Sequence, residues 1–144
     1  MYRLTNKWHD ILNMTKYDRE WHKNDINDEY KEYLDESRIL KKWSELSDVV
    51  YTHSRANWSG YKIDYPLKKA TIPIGLIYMY PKYSLRYSFY RKAGHKLNKN
   101  VHLREVRNPK KIEKLKKIAR RNNLDEEEFV KTCEQLLKRW ILIP

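Results

Sequence analysis

Helix start and stop signals recur at three places in the second half of the chain, and they constrain its fold more than any other feature. Pro81 suits the first turn of a helix, and Gly94 suits the position just past its end. Asn108-Pro109 repeats the start signal, and Asp125 followed by Glu128 makes a capping box. These signals predict helices over residues 82–93, 109–121 and 126–139, of which the last two form a helical hairpin.

Apolar periodicity predicts further helices in the first half of the chain. A short helix is expected over residues 8–14 and a longer one over residues 26–50, which Asp25 can cap. The apolar residues of the longer helix recur at helical spacing. We expect their stripe to face the core, and it consists of Tyr30, Tyr33, Leu34, Leu40, Trp43, Leu46 and Val50.

The segments between these helices have the character of short strands. Residues 61–65 and 70–80 are rich in Tyr and Ile, while Pro66 and Pro73 would confine such strands to the edge of a sheet. The sequence therefore predicts a mainly α fold, α+β in detail, with a small β element near residues 61–80. We expect a compact single domain, with a near-neutral helical half (1–60), the strands (61–80) and a basic helical half (81–144) that ends in the hairpin.

Length and composition agree with one folded, intracellular domain. A chain of 144 residues fits one domain, and its three Gly and five Pro form no low-complexity stretch. The single cysteine, Cys133, permits neither an internal disulfide nor a multi-cysteine zinc site, which favours a reducing, cytoplasmic setting. The start of the chain resembles no secretory signal, and the longest apolar stretch, residues 72–80, is less than half a membrane span. We therefore expect no membrane association.

Positive charge is concentrated in one region of the sequence. Residues 82–121 contain fifteen basic and two acidic residues, a net charge of +13, whereas the whole chain carries +12. Four of these cations recur at intervals of four, three and four and share one helical face: Lys110, Lys114, Lys117 and Arg121. Like charges at this spacing destabilise an isolated helix, and a bound anion would neutralise their repulsion. The run therefore predicts an anionic partner, and we expect this partner to be DNA or RNA.

Aromatic residues accompany the cations in the preceding predicted helix. Tyr83, Tyr87 and Tyr90 alternate with Arg86, Arg91 and Lys92. This mixture suits single-stranded nucleic acid, because bases stack on rings while cations follow the phosphates. The candidate nucleic-acid-binding residues are therefore Arg86, Arg91, Lys92, Arg104, Arg107, Lys110, Lys114, Lys117, Arg121, Tyr83, Tyr87 and Arg55.

The spacing of the last two predicted helices resembles a helix-turn-helix motif. Ala119, Asn123, Asp125 and Phe129 stand where that motif usually has Ala, Gly, a small cap and an apolar residue. The resemblance covers about thirty residues and implies that the second helix reads DNA. However, that helix begins with the acidic run 125–128, which phosphates would repel. We favour a structural hairpin whose first helix makes the contacts.

Two other functions stay open from the sequence. A metal-independent nuclease could use His53 as base and Arg55 to hold a phosphate, with His95 or His102 as acid. No spacing rule supports that set, and no nucleotide, zinc or redox motif is present, so we assign no catalytic residue, metal or cofactor. The other alternative is a small interaction or inhibitor protein, of a viral or mobile-element type, whose basic face binds an acidic surface of a larger protein or nucleoprotein complex.

Overall fold

The computed structural model describes residues 2–64, 67–101 and 108–140, and within these ranges it contains only helices and connecting segments. The expectation of a mainly α fold is confirmed. The six α-helices are α1 Arg3–Ile11, α2 Arg19–Asp35, α3 Ile39–Trp58, α4 Ile72–Lys96, α5 Ile112–Arg121 and α6 Glu126–Arg139, with one 3-10 turn at Lys69–Thr71. None of the helices in these ranges has the length and apolarity that crossing a bilayer requires.

The chain divides into two compact units, an N-terminal unit (Met1–Pro81) and a C-terminal unit (Lys82–Pro144). In the N-terminal unit, α1 and α2 both pack against α3. Gly75 of α4 lies so close to α3 that an added Cβ would collide with the side chain of Val50. Apolar side chains buried in this unit include Leu12, Met14, Ile26, Leu46, Val49, Val50, Ala56, Ile72 and Met79.

The predicted strands near residues 61–80 are wrong. Residues 61–64 have no regular structure, and α4 begins at Ile72. The apolar run was ambiguous because a short buried segment can be either a strand or a helix. Its buried members, Ile72, Gly75 and Met79, are spaced by three and four residues, which is the helical period. Pro81 also does not start a helix as predicted, since it lies inside α4.

The predicted helix over residues 26–50 is in fact parts of two helices. Glu36 and Arg38 have extended backbone between α2 and α3, and the Glu36 carboxylate accepts from the Arg38 backbone N–H at 2.9 Å and from its guanidinium at 2.9 and 3.0 Å. This local bonding satisfies backbone groups that a continuous helix would bond differently. α3 then continues beyond residue 50 to Trp58, and the first helix begins and ends earlier than the predicted residues 8–14, at Arg3–Ile11.

In the C-terminal unit, α5 and α6 pack together as the expected hairpin. α6 has the predicted bounds, and the Asp125 carboxylate caps it by accepting from the Glu128 backbone N–H at 2.8 Å. α5 begins at Ile112 and not at residue 109, because the Asn108 side chain accepts from the Lys110 backbone N–H and forms a turn first. The buried core of this unit consists of Phe89, Tyr90, Ala93, Leu115, Ile118, Ala119, Phe129, Cys133 and Leu136.

Cys133 is fully buried in this core. Burial raises the pKa of its thiol to about 12, and the neighbouring Glu134 carboxylate acts in the same direction. The cysteine therefore behaves as a small apolar side chain.

Candidate nucleic-acid interface

The two units differ in charge far more than in size. Residues 82–144 contain eighteen basic and seven acidic residues, whereas residues 1–81 contain thirteen and twelve. The net charges are therefore +11 and +1. Of the acidic residues in the C-terminal unit, four form the run 125–128 around the start of α6, where the helix dipole stabilises them.

Most described cations of the C-terminal unit are exposed, with Lys114 and Lys116 half-buried. The exposed set is Arg91, Lys92, Lys96, Lys99, Lys110, Lys111, Lys117, Arg120, Arg121, Lys131, Lys138 and Arg139. Among these, Arg120 forms an ion pair of 2.8 Å with Glu126. Two further cations, Lys82 and Arg86, are buried. The surface thus displays positive charge that a polyanion can reach from solvent.

α5 carries part of the predicted basic face. Leu115 and Ile118 are buried on one side of the helix, while Lys117 and Arg121 are exposed and Lys114 is half-buried. Lys110 is also exposed but lies in the turn before the helix. The face is therefore shorter than the sequence predicted, with three of its four members on the helix.

A pocket of about 490 Å³ lies at the carboxyl-terminal end of α4, and we call it the α4 pocket. Three lysine or arginine residues and a histidine meet in it, and none of its eight described lining residues is acidic. The lining consists of Ser88, Arg91, Lys92, His95, Lys99, Asn100, Val101 and Trp140. Ser88, Arg91, Lys92 and His95 lie on one side of α4, because each is three or four residues from two of the others, and the next three lining residues lie in the turn after the helix.

Gly94 allows the turn after α4 to fold back tightly enough to complete the pocket. Its carbonyl oxygen accepts from the backbone N–H groups of Leu97 at 3.0 Å and Lys99 at 2.9 Å. A Cβ at Gly94 would lie 2.7 Å from the Lys99 carbonyl oxygen and 2.6 Å from Val101 Cγ2, closer than side chains tolerate. Asn98, with a φ of +52°, adopts the left-handed conformation that reverses the chain.

Trp140 forms another part of the pocket. It follows the last residue of α6, and its backbone N–H donates to the Leu136 carbonyl oxygen at 2.9 Å. Its ring packs at 72° against Phe89, with ring centroids 5.9 Å apart, and the side chain is half-buried. The core thus holds the indole in place while part of it stays accessible in the pocket.

The predicted aromatic face of α4 is mostly inside the protein. Tyr83 and Tyr90 are buried, as is Arg86, whose guanidinium lies 5.2 Å from the Tyr83 ring. Tyr87 is half-buried, with Arg91 6.0 Å from its ring. Only Tyr87 of the three tyrosines therefore has surface that a base can contact, while Arg91 and Lys92 are exposed. Arg104 and Arg107 lie outside the described residues, as does His102.

Arg55 and His53 belong to the N-terminal unit, and both are used in its internal packing. The Arg55 guanidinium is buried, donates to the Thr15 carbonyl oxygen at 2.7 Å and lies about 5 Å from the rings of Tyr17 and Trp21. These contacts leave its guanidinium no access to a phosphate at the surface. We therefore leave Arg55 out of the interface.

The ring of His53 is hydrogen-bonded through both nitrogens. Nε2 donates to the Ile63 carbonyl oxygen at 2.9 Å, so Nδ1 is the acceptor for the Tyr2 hydroxyl at 3.0 Å. Burial lowers the pKa of His53, and the bond to Ile63 partly opposes this. A general base needs a nitrogen that its substrate can reach, so this geometry gives the nuclease alternative no support.

The sequence missed His95, Lys99 and Trp140 as members of one site. The signal for His95 was its position four residues after Arg91, on the same side of a helix. Lys99 reaches the pocket through the turn after α4, whose geometry depends on Gly94. The sequence predicted Gly94 only as the end of a helix. Trp140 follows α6 in sequence, and the structure places it at the edge of the core of the C-terminal unit.

Comparison with protein-family models, with curated proteins and with solved structures gave no match. Function is therefore inferred from the side chains and the charge distribution of this chain.

Proposed function

We propose that the protein binds nucleic acid without altering it chemically, by contacting the phosphate backbone with exposed cations of the C-terminal unit. The observation that carries this proposal is the α4 pocket, where Arg91, Lys92 and Lys99 meet with no acidic residue in the described lining. Bringing three cations together costs electrostatic free energy, and a bound polyanion offsets that cost.

The end of α4 itself accounts for only part of this charge. A helix carboxyl terminus carries about half a negative charge, so one or two cations there are stabilising. Three lysine or arginine side chains line the α4 pocket, with His95 beside them, and Lys96 lies exposed in the last turn of α4. The excess of positive charge supports an external anion as the partner.

α5 provides a second group of contacts. Lys117 and Arg121 are exposed on the helix, and Lys110 is exposed just before it. A protein that neutralises several phosphates releases their condensed counterions, so its affinity falls linearly with salt on a logarithmic plot. The slope is about −0.9 per phosphate for duplex DNA and about −0.7 for a single strand.

The test is a salt titration of binding to duplex DNA, single-stranded DNA and RNA of one length, measured by fluorescence anisotropy. The variant replaces Lys110, Lys117 and Arg121 with Gln. We expect it to bind every sequence more weakly and to flatten the salt slope by about two to three units, because three phosphate contacts are lost.

The matched control replaces three exposed lysines of the N-terminal unit, Lys7, Lys62 and Lys68, with Gln. It changes the net charge equally but removes no proposed phosphate contact, so it should leave the slope within error of wild type. If the two triple variants behave alike, only net charge matters and the interface is misplaced. Wild type that binds none of the three nucleic acids at low salt refutes the proposal and favours an acidic protein surface as the partner.

A further inference from the structure

We infer that the α4 pocket receives one unstacked nucleotide of a single strand, with its phosphate on Arg91, Lys92 and Lys99 and its base against Trp140. This inference rests on the proposed function and adds to it a preference for strand form. Three properties of the pocket support it: its volume, its charge and the indole of Trp140.

The volume suits a small ligand that enters the protein. At about 490 Å³, the α4 pocket lies within the range of sites that bind small molecules and cofactors, roughly 300–1,000 Å³. A phosphate that only touches a surface lysine needs no such space. A nucleotide that swings its base out of a strand does need it.

The charged residues suit the phosphate of that nucleotide. Arg91 and Lys92 extend from the last turns of α4, and Lys99 extends from the turn that folds back beside them. A guanidinium offers two parallel N–H donors to phosphate oxygens, whereas ammonium groups act as point charges. Ser88 and Asn100, also in the lining, can hydrogen-bond to a sugar or to a base edge.

Trp140 suits the base. It has the largest aromatic ring among the described lining residues, which also include the imidazole of His95, and its packing on Phe89 fixes the indole without enclosing it. Stacking of a base on an aromatic side chain contributes about 1–3 kcal/mol and tolerates any base. The bases of a duplex are paired as well as stacked, so a single strand can place one in the pocket at a much lower cost.

The experiment compares three ligands of equal length: oligothymidylate, the same strand without bases, and duplex DNA. Trp140→Leu removes the aromatic ring, while Trp140→Phe keeps one. We expect Trp140→Leu to weaken oligothymidylate binding by about 5- to 150-fold, the range that follows from the stacking energy. Its affinity for the abasic strand and for the duplex should change by less than about twofold, and Trp140→Phe should restore most of the loss.

Equal weakening for all three ligands, or no weakening, would overturn the inference. A second pair of variants covers the case in which Trp140→Leu fails to fold. Arg91→Gln with Lys99→Gln should reduce oligothymidylate binding more than Lys110→Gln with Lys117→Gln, which removes the same charge from α5 and the turn before it. Equal losses from the two pairs, or equal wild-type affinity for oligothymidylate and the abasic strand, also count against a nucleotide in the pocket.

Three further outcomes separate this inference from binding of free nucleotides and from the proposed function. Thymidine 5′-monophosphate that competes as well as the whole strand would make the pocket a site for free nucleotides and refute the strand assignment. Wild type that binds neither strand nor duplex refutes the proposed function as well. If wild type binds the duplex and the abasic strand, and binds oligothymidylate no more tightly than the abasic strand, only the inference about the α4 pocket is refuted.

Discussion

Mild acid should destabilise the N-terminal unit, because folding buries histidines there in their neutral form. The Ser54 hydroxyl donates to the Tyr51 carbonyl oxygen at 2.8 Å, so its oxygen accepts from His9 Nε2 at 3.1 Å. The His9 proton is thus on Nε2, and Nδ1 is buried with no hydrogen-bond partner among the described residues. A second proton would place an N–H without an acceptor inside the protein.

This environment holds the pKa of His9 at about 3, well below its ordinary value of 6.5. Desolvation is the main cause, the positive charge of Arg55 adds to it, and Asp10 opposes it. His22, whose Nε2 pairs with the Ser59 hydroxyl at 3.0 Å, has its pKa lowered to about 4 by desolvation and by Arg55, against Asp18. Both histidines therefore stabilise the fold only while they stay neutral.

The sign and size of the effect follow from proton linkage. Because the pKa of His9 is lowered in the folded state, the unfolded chain binds the proton at a higher pH than the folded protein does. The contribution of His9 to the free energy of unfolding is therefore fully present above about pH 6.5 and decreases as the pH falls towards 3. At about pH 5, His9 is still neutral when folded and mostly protonated when unfolded. The difference of about 1.5 pH units from its ordinary pKa costs about 2 kcal/mol, at 1.36 kcal/mol per unit. His22 adds a loss of the same sign.

The assay is urea unfolding at several values between about pH 7.5 and about pH 5, a window in which ordinary carboxylates stay mostly charged. Tryptophan fluorescence reports mainly on the N-terminal unit, because four of the five tryptophans lie in residues 1–81. His9→Gln keeps a donor for Ser54 but cannot be protonated. Its loss of unfolding free energy across this window should be smaller than that of wild type by about 2 kcal/mol.

His95→Gln is the matched control, since His95 is exposed in the other unit, and its pH profile should follow wild type. A His9→Gln variant that loses as much stability as wild type would refute the reasoning. It would mean that the His9 ring is protonated, or open to water, in the folded state.

Three other changes test separate parts of the structure, each by urea unfolding. Gly94→Ala should cost about 1–3 kcal/mol, because its Cβ meets the Lys99 carbonyl oxygen, and the displaced turn should also weaken oligothymidylate binding. Arg55→Gln should cost about 1–3 kcal/mol through lost contacts of its buried guanidinium, while nucleic-acid affinity of the folded protein stays unchanged. Phe129→Ala should cost about 3–5 kcal/mol as a large core truncation, whereas Ile112→Ala, at a half-exposed position, should cost far less. Equal costs for this last pair would contradict the assigned core.

The sequence correctly predicted the helices whose start and end signals are local. Its predictions were wrong where the burial of side chains determines the secondary structure. α6 was predicted with its bounds, because Asp125 caps it through a bond only three residues away. For α4, the sequence predicted a strand before Pro81 and a helix after it, because proline and β-branched residues have strong local preferences. The burial of Ile72, Gly75 and Met79 on one helical face outweighs these preferences and stabilises one continuous helix. The break after α2 depends on the contact between Glu36 and Arg38, which periodicity does not contain.

The candidate interface was predicted to the same extent and for the same reasons. Its positive charge could be predicted, because the excess of basic residues in residues 82–121 follows from the sequence alone. The exposure of each side chain could not be predicted, because the buried side of α4 includes Tyr83 and Arg86 as well as apolar residues. The α4 pocket needs both the turn at Gly94 and the end of α6, which lie more than forty residues apart in sequence.

The burial of Cys133 makes this protein well suited to site-specific labelling. Its thiol is enclosed in the core with a pKa of about 12, so it forms almost no thiolate at neutral pH, the species that reacts with maleimides. A cysteine introduced at Ser84, which is exposed on α4 one turn before Ser88, should therefore react alone in the folded protein, without removal of the native one. A dye there would lie beside the α4 pocket, outside its lining, and change its emission when a strand enters.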